Sequence, residues 1–165
     1  MTMAPISTIP AILQPVIGQP IWGVKRSHGS FFLAEFGPVR EILTLPARRF
    51  DNGRMVAERQ VPRGRWSLMV ELCRWRIEVG QAATSDLDAD HAHMQAVMSA
   101  LDGTSIRSIE IDPDVLTLHF SNDRRMTLGP AAYVLTGDTG SQWVIFFPDG
   151  SKLSRETDGR LSHER

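Results

Sequence analysis

The two halves of this 165-residue chain follow one pattern. In each half a glycine leads into two apolar positions three residues apart and then into an alternating run, with an offset of 85 residues between the halves. The matched positions are Gly18 and Gly103, Ile21 and Ile106, Val24 and Ile109, Leu33 and Leu118, and Glu35 and Phe120. A tryptophan then opens a second apolar run in each half, at Trp66 and Trp143, offset by 77. Such repetition predicts a duplicated strand unit whose copies differ in loop length.

Alternating apolar residues and turn signals predict that most of the chain forms antiparallel strands. Strands are expected near 16–25, 30–36, 40–46, 54–61, 66–72, 74–80, 105–111, 115–120, 124–128, 131–136, 142–147 and 151–155. The clearest hairpin joins 115–120 to 124–128 through Asn122 and Asp123, because both residues tolerate a positive φ. Asp51-Asn52-Gly53 is a further turn signal.

One amphipathic helix is expected at about 86–101, between the two strand-rich halves. Met94, Val97, Met98 and Leu101 form one apolar stripe at helical spacing. Ser85 and Asp88 have the spacing of a capping box. The predicted class is α+β, mostly antiparallel, with two pseudo-symmetric halves around this helix.

The predicted organisation is a single domain over 1–165. It comprises an extended N-terminal arm at 1–15, a first strand unit at 16–80, a helix connector at 81–104 and a second strand unit at 105–161. Prolines at 5, 10, 15 and 20 disfavour a helix in the arm. The N-terminal segment is too apolar to remain in water, so we expect it to cover an edge strand of a second copy in a homodimer. Packing on its own domain is the alternative.

Charge and cysteine content place further bounds on the chain. Residues 1–80 carry a net charge of +5 and residues 81–165 a net charge of −6. This asymmetry favours a protein partner or contact between copies. The single cysteine, Cys73, allows no internal disulfide, and no apolar run is long enough for a membrane span. We therefore expect a cytoplasmic protein that does not contact membrane.

The segment 86–93 has the composition of a metal site. Carboxylates at alternate positions and two histidines could supply oxygen and nitrogen ligands. The residues are Asp86, Asp88, Asp90, His91 and His93. The calcium-loop pattern fails, because His91 stands where it needs glycine, and a helix would point the two histidines apart. We expect no metal ion and no other cofactor.

An arginine-rich stretch between Arg40 and Arg65 is the candidate binding region. Basic residues beside an aromatic ring can bind phosphates and stack a base. The candidate binding residues are Arg48, Arg49, Arg63, Arg65 and Trp66. Acidic residues are interleaved and the chain as a whole is slightly acidic, so nucleic-acid binding is the least favoured reading.

The sequence contains no signature of a catalytic centre, and no catalytic residue is predicted. It lacks a Gly-x-Ser-x-Gly elbow, a His-Glu-x-x-His motif and a phosphate loop. The tryptophans stand in predicted strands, where packing in the core explains them. A non-enzymatic protein-binding role is favoured. The alternative is a module that binds a small anion or nucleotide in a pocket between the sheets.

The second half, over about 90–161, carries a recurring layout of strands and turns. It consists of Leu101-Asp-Gly103-x-x-Ile106-x-x-Ile109, then Leu116-x-Leu118-x-Phe120-x-x-Asp123, then Trp143 and Pro148-Asp149-Gly150 with Leu153. This layout resembles small uncharacterised bacterial proteins and immunity proteins of polymorphic toxin systems. The resemblance implies an immunity-like protein that binds a protein partner, and it transfers no catalytic residue.

Overall fold

The computed structural model describes residues 9–27, 31–132 and 140–165. Within these ranges the strands are β1 (Ile21–Arg26), β2 (Phe32–Leu45), β3 (Arg48–Arg49), β4 (Met55–Val56), β5 (Arg59–Val70), β6 (Cys73–Val79), β7 (Ala82–Ser85), β8 (Ile106–Asp112), β9 (Val115–Phe120), β10 (Arg124–Ala131), β11 (Ser141–Phe146), β12 (Lys152–Glu156) and β13 (Leu161–Glu164). The helices are α1 (Ile9–Leu13), a 3-10 turn (Gln14–Val16) and α2 (His91–Ser99).

Two antiparallel sheets form the body of the protein, and the prediction of mostly antiparallel strands is confirmed. Sheet I has the strand order β1-β2-β5-β11-β12-β13, and sheet II has the order β7-β6-β10-β9-β8. The short strands β3 and β4 pair only with each other. Both sheets therefore contain strands from the first and from the second half of the chain. The fold is mostly antiparallel β, and α2 is the one helix of seven or more residues in the described ranges.

The core lies between the two sheets and is shared by them. The rings of Phe32 on sheet I and Trp75 on sheet II meet edge to face, with centroids 5.1 Å apart. Trp143 is fully buried in the same cluster, and Trp66 is 95% buried. Complete burial of one such large side chain stabilises the fold by about 1.5–3 kcal/mol. The prediction that the tryptophans serve core packing is confirmed for these three, whereas Trp22 is only partly buried and its indole N–H donates to the Gly37 carbonyl at 2.8 Å.

The strands of the body follow the predicted alternation, but in the first half of the chain the strands are longer and fewer than predicted. The strands expected at 30–36 and 40–46 are one strand, β2, and those expected at 54–61 and 66–72 are largely one strand, β5. Gly37, which has a positive φ of 74°, does not end β2. The register between β2 and β5 shifts between Phe36 and Val39, as at a β-bulge, and the pairing then continues. Strands β7 and β13 were not predicted, and the strand expected at 131–136 lies mainly outside the described residues.

Helix α2 begins five residues later than predicted. Residues Ala82–Ser85 pair with β6, so Ser85 belongs to a strand and cannot cap a helix. The N-cap is Asp90, whose side chain accepts a hydrogen bond from the backbone N–H of His93 at 3.0 Å. Residues 86, 88 and 90 therefore precede the helix.

The prediction of an extended N-terminal arm is wrong for residues 9–15. These residues form α1 and the 3-10 turn, because proline is tolerated in a first helical turn, where its missing N–H would have no helical partner. Leu13 and Val16 are buried in the protein's own core. The expected strand at 16–25 accordingly begins only at Ile21. Residues 1–8 lie outside the described residues.

Candidate functional site: a projecting β-hairpin and an acidic cleft

The outer parts of β2 and β5 continue past the body as a two-stranded hairpin, here called the arm (residues 39–65). Its ladder runs from Val39 opposite Gly64 to Leu45 opposite Arg59, and β3 and β4 extend it to the tip. The neighbours of β2 and β5 in sheet I pair only with residues 32–36 and 67–70. The eleven residues from Val39 to Arg49 span about 33 Å if fully extended.

The tip of the arm is an ordered turn of the predicted kind. The backbone N–H of Phe50 donates to the carbonyl of Arg54 at 2.9 Å, and the Asn52 side chain accepts from the N–H of Arg54 at 3.0 Å. Gly53 has a φ of 81°, a conformation that glycine adopts without strain. The Asp51-Asn52-Gly53 turn predicted from sequence is confirmed.

A buried carboxylate fixes the base of the arm to sheet I. Glu35 accepts hydrogen bonds from the backbone N–H of Gly64 at 2.8 Å and from the Ser67 hydroxyl at 2.5 Å. Its other oxygen lies 3.0 Å from Nε of Arg63. A Cβ at position 64 would lie 2.7 Å from the carbonyl oxygen of Phe36, so only glycine fits where the strands approach each other.

The arm carries most of the large apolar side chains that the described structure leaves exposed. Six of the seven lie on it, and each is between 36% and 62% exposed. They are Val39, Ile42, Leu43, Leu45, Phe50 and Met55. The seventh is Leu87, in the loop before α2. A concentration of exposed apolar groups on one projecting element is typical of a surface that binds another molecule.

The arm is also basic, whereas the rest of the chain is acidic. Seven arginines and three acidic residues give residues 39–65 a net charge of +4, which leaves −5 on the remaining residues. The Arg48 guanidinium lies 5.1 Å above the Phe50 ring, within range of a cation–π contact. The arm therefore presents guanidinium groups and apolar side chains together.

The five candidate binding residues do not meet in one pocket. Arg48 and Arg49 lie near the tip of the arm, whereas Arg63 and Arg65 lie at its base. Trp66 belongs to the core, so its ring cannot stack on a ligand in the space between the sheets. The expected pocket between the sheets is occupied by apolar side chains. Sequence reasoning located the basic stretch but missed the exposed apolar residues and the role of Glu35.

A cleft on the outer face of sheet I, here called the acidic cleft, lies beyond the base of the arm. It has a volume of about 370 Å³. Its lining includes the apolar residues Met69, Val144 and Phe146 and the charged residues Glu71, Lys152, Glu156 and Glu164. Three carboxylates and one ammonium give it a net charge of −2. It is thus acidic and partly apolar.

The carboxylates of this cleft differ in their surroundings. Glu156 is buried and accepts a hydrogen bond from the Ser154 hydroxyl at 2.8 Å, whereas Glu164 lies 2.9 Å from the Lys152 ammonium. Burial raises the pKa of the Glu71 carboxyl above its ordinary value, and the charge of Glu156 raises it further. Like charges therefore meet at the Glu71 end of the cleft.

The aspartates and histidines near α2 have protein partners. Asp86 accepts from Arg74 at 2.7 Å, and Asp88 accepts from the Thr84 hydroxyl at 2.9 Å. His91 Nδ1 lies 3.0 Å from Nη1 of Arg26, and His93 Nε2 lies 2.9 Å from the Ala83 carbonyl. Within 9–27, 31–132 and 140–165, no group of three or more such side chains is arranged to hold a metal ion.

Cys73 is a packing residue in this fold. It is fully buried, and burial raises the pKa of its thiol to about 12. The thiolate, which is the nucleophilic form, is therefore scarcely populated near neutral pH.

Comparison with known proteins gives no relative for this chain. No protein-family model, no curated protein and no solved structure matches it. In the part of the chain that the structure describes, no helix combines the length and apolar character that crossing a membrane requires.

Proposed function

We propose that this chain is a non-enzymatic protein-binding protein and that the arm is its binding element. The observation that carries the proposal is the placement of six exposed large apolar residues on a hairpin with a net charge of +4. Apolar side chains form the centre of a typical protein interface, and arginine is enriched there. The partner surface would be acidic and partly apolar.

A protein partner fits the arm better than nucleic acid does. Phosphate groups would pair with the arginines, but aliphatic residues such as Ile42 and Leu43 neither stack on bases nor hydrogen-bond to them. Glu41, Asp51 and Glu58 are interleaved on the arm and would repel a phosphate backbone. The negative charge on the rest of the chain opposes a polyanion further.

The resemblance of the second half to immunity proteins of polymorphic toxin systems supports an immunity-like role within this proposal. Such a role requires a protein partner, which agrees with the chemistry of the arm. A cytoplasmic location stays a prediction, as does association into a homodimer. A toxin gene beside the gene for this chain would support the immunity-like role, and an enzyme operon there would count against it.

Binding of a small anion is the second candidate, and one feature favours it. A surface cleft of about 270 Å³ at the base of the arm is lined by Arg40, Arg63 and Arg65 together with Phe146. Glu41 lies in the same cleft, and Arg63 is already paired with Glu35. These carboxylates offset part of the positive charge, so a protein partner is the stronger proposal.

Photo-crosslinking tests the proposed function. A photoreactive amino acid at position 55 of the arm, in place of Met55, should give a discrete protein adduct in cells that produce the chain. The matched control is the same amino acid at position 87, since Leu87 is equally apolar and 73% exposed but lies outside the arm. Adducts with nucleic acid from position 55, or the same adducts from both positions, would contradict the proposal.

We also propose that the two halves arose by duplication. The first half places β1-β2-β5 in sheet I and β6-β7 in sheet II, whereas the second half places β8-β9-β10 in sheet II and β11-β12-β13 in sheet I. Each half thus contributes three consecutive antiparallel strands to one sheet and the strands that follow to the other. This order supports the repeat with an 85-residue offset. It makes β11 the counterpart of β6, so Trp143 corresponds to Trp75 and not, as the sequence pattern suggests, to Trp66.

In this arrangement the arm is an insertion in the first copy. A three-residue turn at 121–123 joins β9 to β10, and the arm occupies the equivalent place between the body parts of β2 and β5, residues 32–36 and 66–70. Superposing β1, β2 and β5 without the arm on β8, β9 and β10 tests the duplication. Failure of β6 and β7 to fall on β11 and β12 after that superposition would exclude it.

A further inference from the structure

We infer that the partner of the arm is a second copy of this chain, whose acidic cleft receives it. The inference rests on the proposed function, because it names the protein that the arm binds. In the resulting dimer the arm of each protomer lies across the outer face of sheet I of the other. The proposal rests on charge, on apolar surface and on the position of the two elements in one sheet.

The charges of the two elements are complementary. The arm has a net charge of +4, and the acidic cleft has a net charge of −2 from three glutamates and Lys152. Glu164, which pairs with Lys152, has a side chain that is 39% exposed. Complementary potentials speed the encounter of two surfaces and fix their register.

The apolar groups are complementary as well. The arm exposes Ile42, Leu43 and Leu45, and the cleft is lined by Met69, Val144 and Phe146. Methionine and phenylalanine adapt well to aliphatic neighbours, because the thioether is flexible and the ring is broad. A surface with this mixture suits the arm better than a purely acidic one would.

The geometry of sheet I permits a closed two-fold dimer. Glu41 and Leu43 line the same surface cleft as Ser67 and Phe146, so one side of the arm continues the outer face of sheet I. A two-fold axis parallel to this face and perpendicular to its strands, passing between arm and cleft, turns the two outer faces toward each other and places each arm over the other protomer's cleft. The same contact then forms twice and leaves no arm uncovered, as in isologous dimers.

The lengths of the two elements also agree. Fully extended, the eleven residues of the arm from Val39 to Arg49 span about 33 Å, and the eight residues from Gly64 to Glu71 span about 23 Å. An arm of this length can therefore cross the whole cleft of the other protomer. A shorter hairpin would reach only the cleft's near edge.

Reciprocal charge reversal tests the dimer. The arm variant carries Arg49→Glu, Arg54→Glu and Arg59→Glu, which change the arm's net charge to −2. The cleft variant carries Glu71→Lys and Glu164→Lys, which change the cleft's net charge to +2. Light scattering at micromolar concentrations should find a dimer for the unaltered chain and a monomer for each variant alone.

The mixture of the two variants is the decisive sample. In an equimolar mixture both contacts regain opposite charges, so a dimer containing one chain of each kind should form. The control variant, Lys25→Glu, Arg76→Glu and Arg107→Glu, reverses three exposed charges outside both elements and should remain dimeric. Thermal unfolding checks that each variant is folded. If the arm variant is unfolded, the single substitution Arg49→Glu replaces it, and if the cleft variant is unfolded, Glu164→Lys replaces it.

The outcomes separate this inference from the proposed function. A monomeric unaltered chain, a dimer that survives both sets of reversals, or a mixture that stays monomeric would overturn the second-copy proposal. If the chain is monomeric and position 55 crosslinks to a different protein, the arm binds a protein but not its own chain. If the chain is monomeric and position 55 gives no protein adduct, both proposals fail.

Discussion

Two hairpins of this protein are built on the same kind of strand pair but end differently. Strands β9 and β10 are joined at 121–123 through Asn122 and Asp123, whose φ angles are 61° and 56°, and every second residue of β9 is buried. Strands β2 and β5 run on for 27 more residues as the arm, of which only Gly64 is buried. The first hairpin shows that a short turn suffices to close such a pair of strands.

The difference bears on the stability of the arm. An isolated two-stranded hairpin is marginally stable in water, and exposed apolar residues add no stability to the body. The arm therefore depends on its base, where Glu35 holds Gly64, Ser67 and Arg63. An element that contributes little to the fold and exposes much apolar surface supports the proposal that the arm is a binding element.

The largest expected effect is a contrast between truncations in the body and in the arm. Phe32→Ala should lower the free energy of unfolding by about 3–5 kcal/mol, because it leaves a cavity beside Trp75. Ile42→Ala should change it by less than about 0.5 kcal/mol, because Ile42 is 61% exposed. Urea unfolding of both variants measures this. Equal losses would show that the arm is part of the folded core.

The second prediction concerns the junction between body and arm. Glu35→Ala should lower the free energy of unfolding by about 1–3 kcal/mol, since it leaves the buried N–H of Gly64 without its acceptor. Limited trypsin digestion should then cleave faster at the arginines of the arm. The control is Glu41→Ala, because Glu41 lies opposite Arg63 in the ladder but is exposed. Similar losses from both variants would contradict a special role for Glu35.

The sequence predicts the body better than the arm, for a physical reason. Strands β6 and β9 alternate between buried and less buried residues, and hydrophobic periodicity reports that pattern directly. The β2 strand of the arm is exposed at every residue from 39 to 45, so its apolar residues follow no period that burial imposes. Gly37 and Pro38 predict that a strand ends there. In the structure the strand continues past a bulge, because Val39 pairs with Gly64 on β5, where only glycine fits.

The candidate site was predictable only in part, because its parts depend on tertiary structure. The arginine-rich stretch is visible in the sequence, and it does form the arm. Its exposed apolar residues look like core residues until their neighbours are known, as Ile42 and Leu43 illustrate. The acidic cleft joins residues from β5 and its end, β11, β12 and β13, which no local pattern connects. Glu35 looked like a member of an alternating run, and its partners lie about thirty residues away.

The smallest effect is expected in the acidic cleft, from Glu71→Gln. Burial and Glu156 raise the pKa of the Glu71 carboxyl in the folded state, so the folded protein binds this proton more readily than the unfolded chain does. Its favourable contribution to stability is thus complete below the unfolded pKa of about 4.3 and is lost as pH rises through the folded pKa. Near neutral pH the ionised carboxylate destabilises the fold, and glutamine removes that charge.

Glu71→Gln should therefore raise the melting temperature slightly near neutral pH, and the gain should disappear below about pH 4, where both states are protonated. Melting curves across this pH range measure the difference. The arm supplies the control, because Glu58 is exposed and Glu58→Gln should leave the melting temperature near neutral pH unchanged. If Glu71→Gln also has no effect near neutral pH, the like charges in the cleft impose no strain. The carboxylates of the cleft would then be as well solvated as those of the arm, and pairing with arginines of a second copy would stabilise them little.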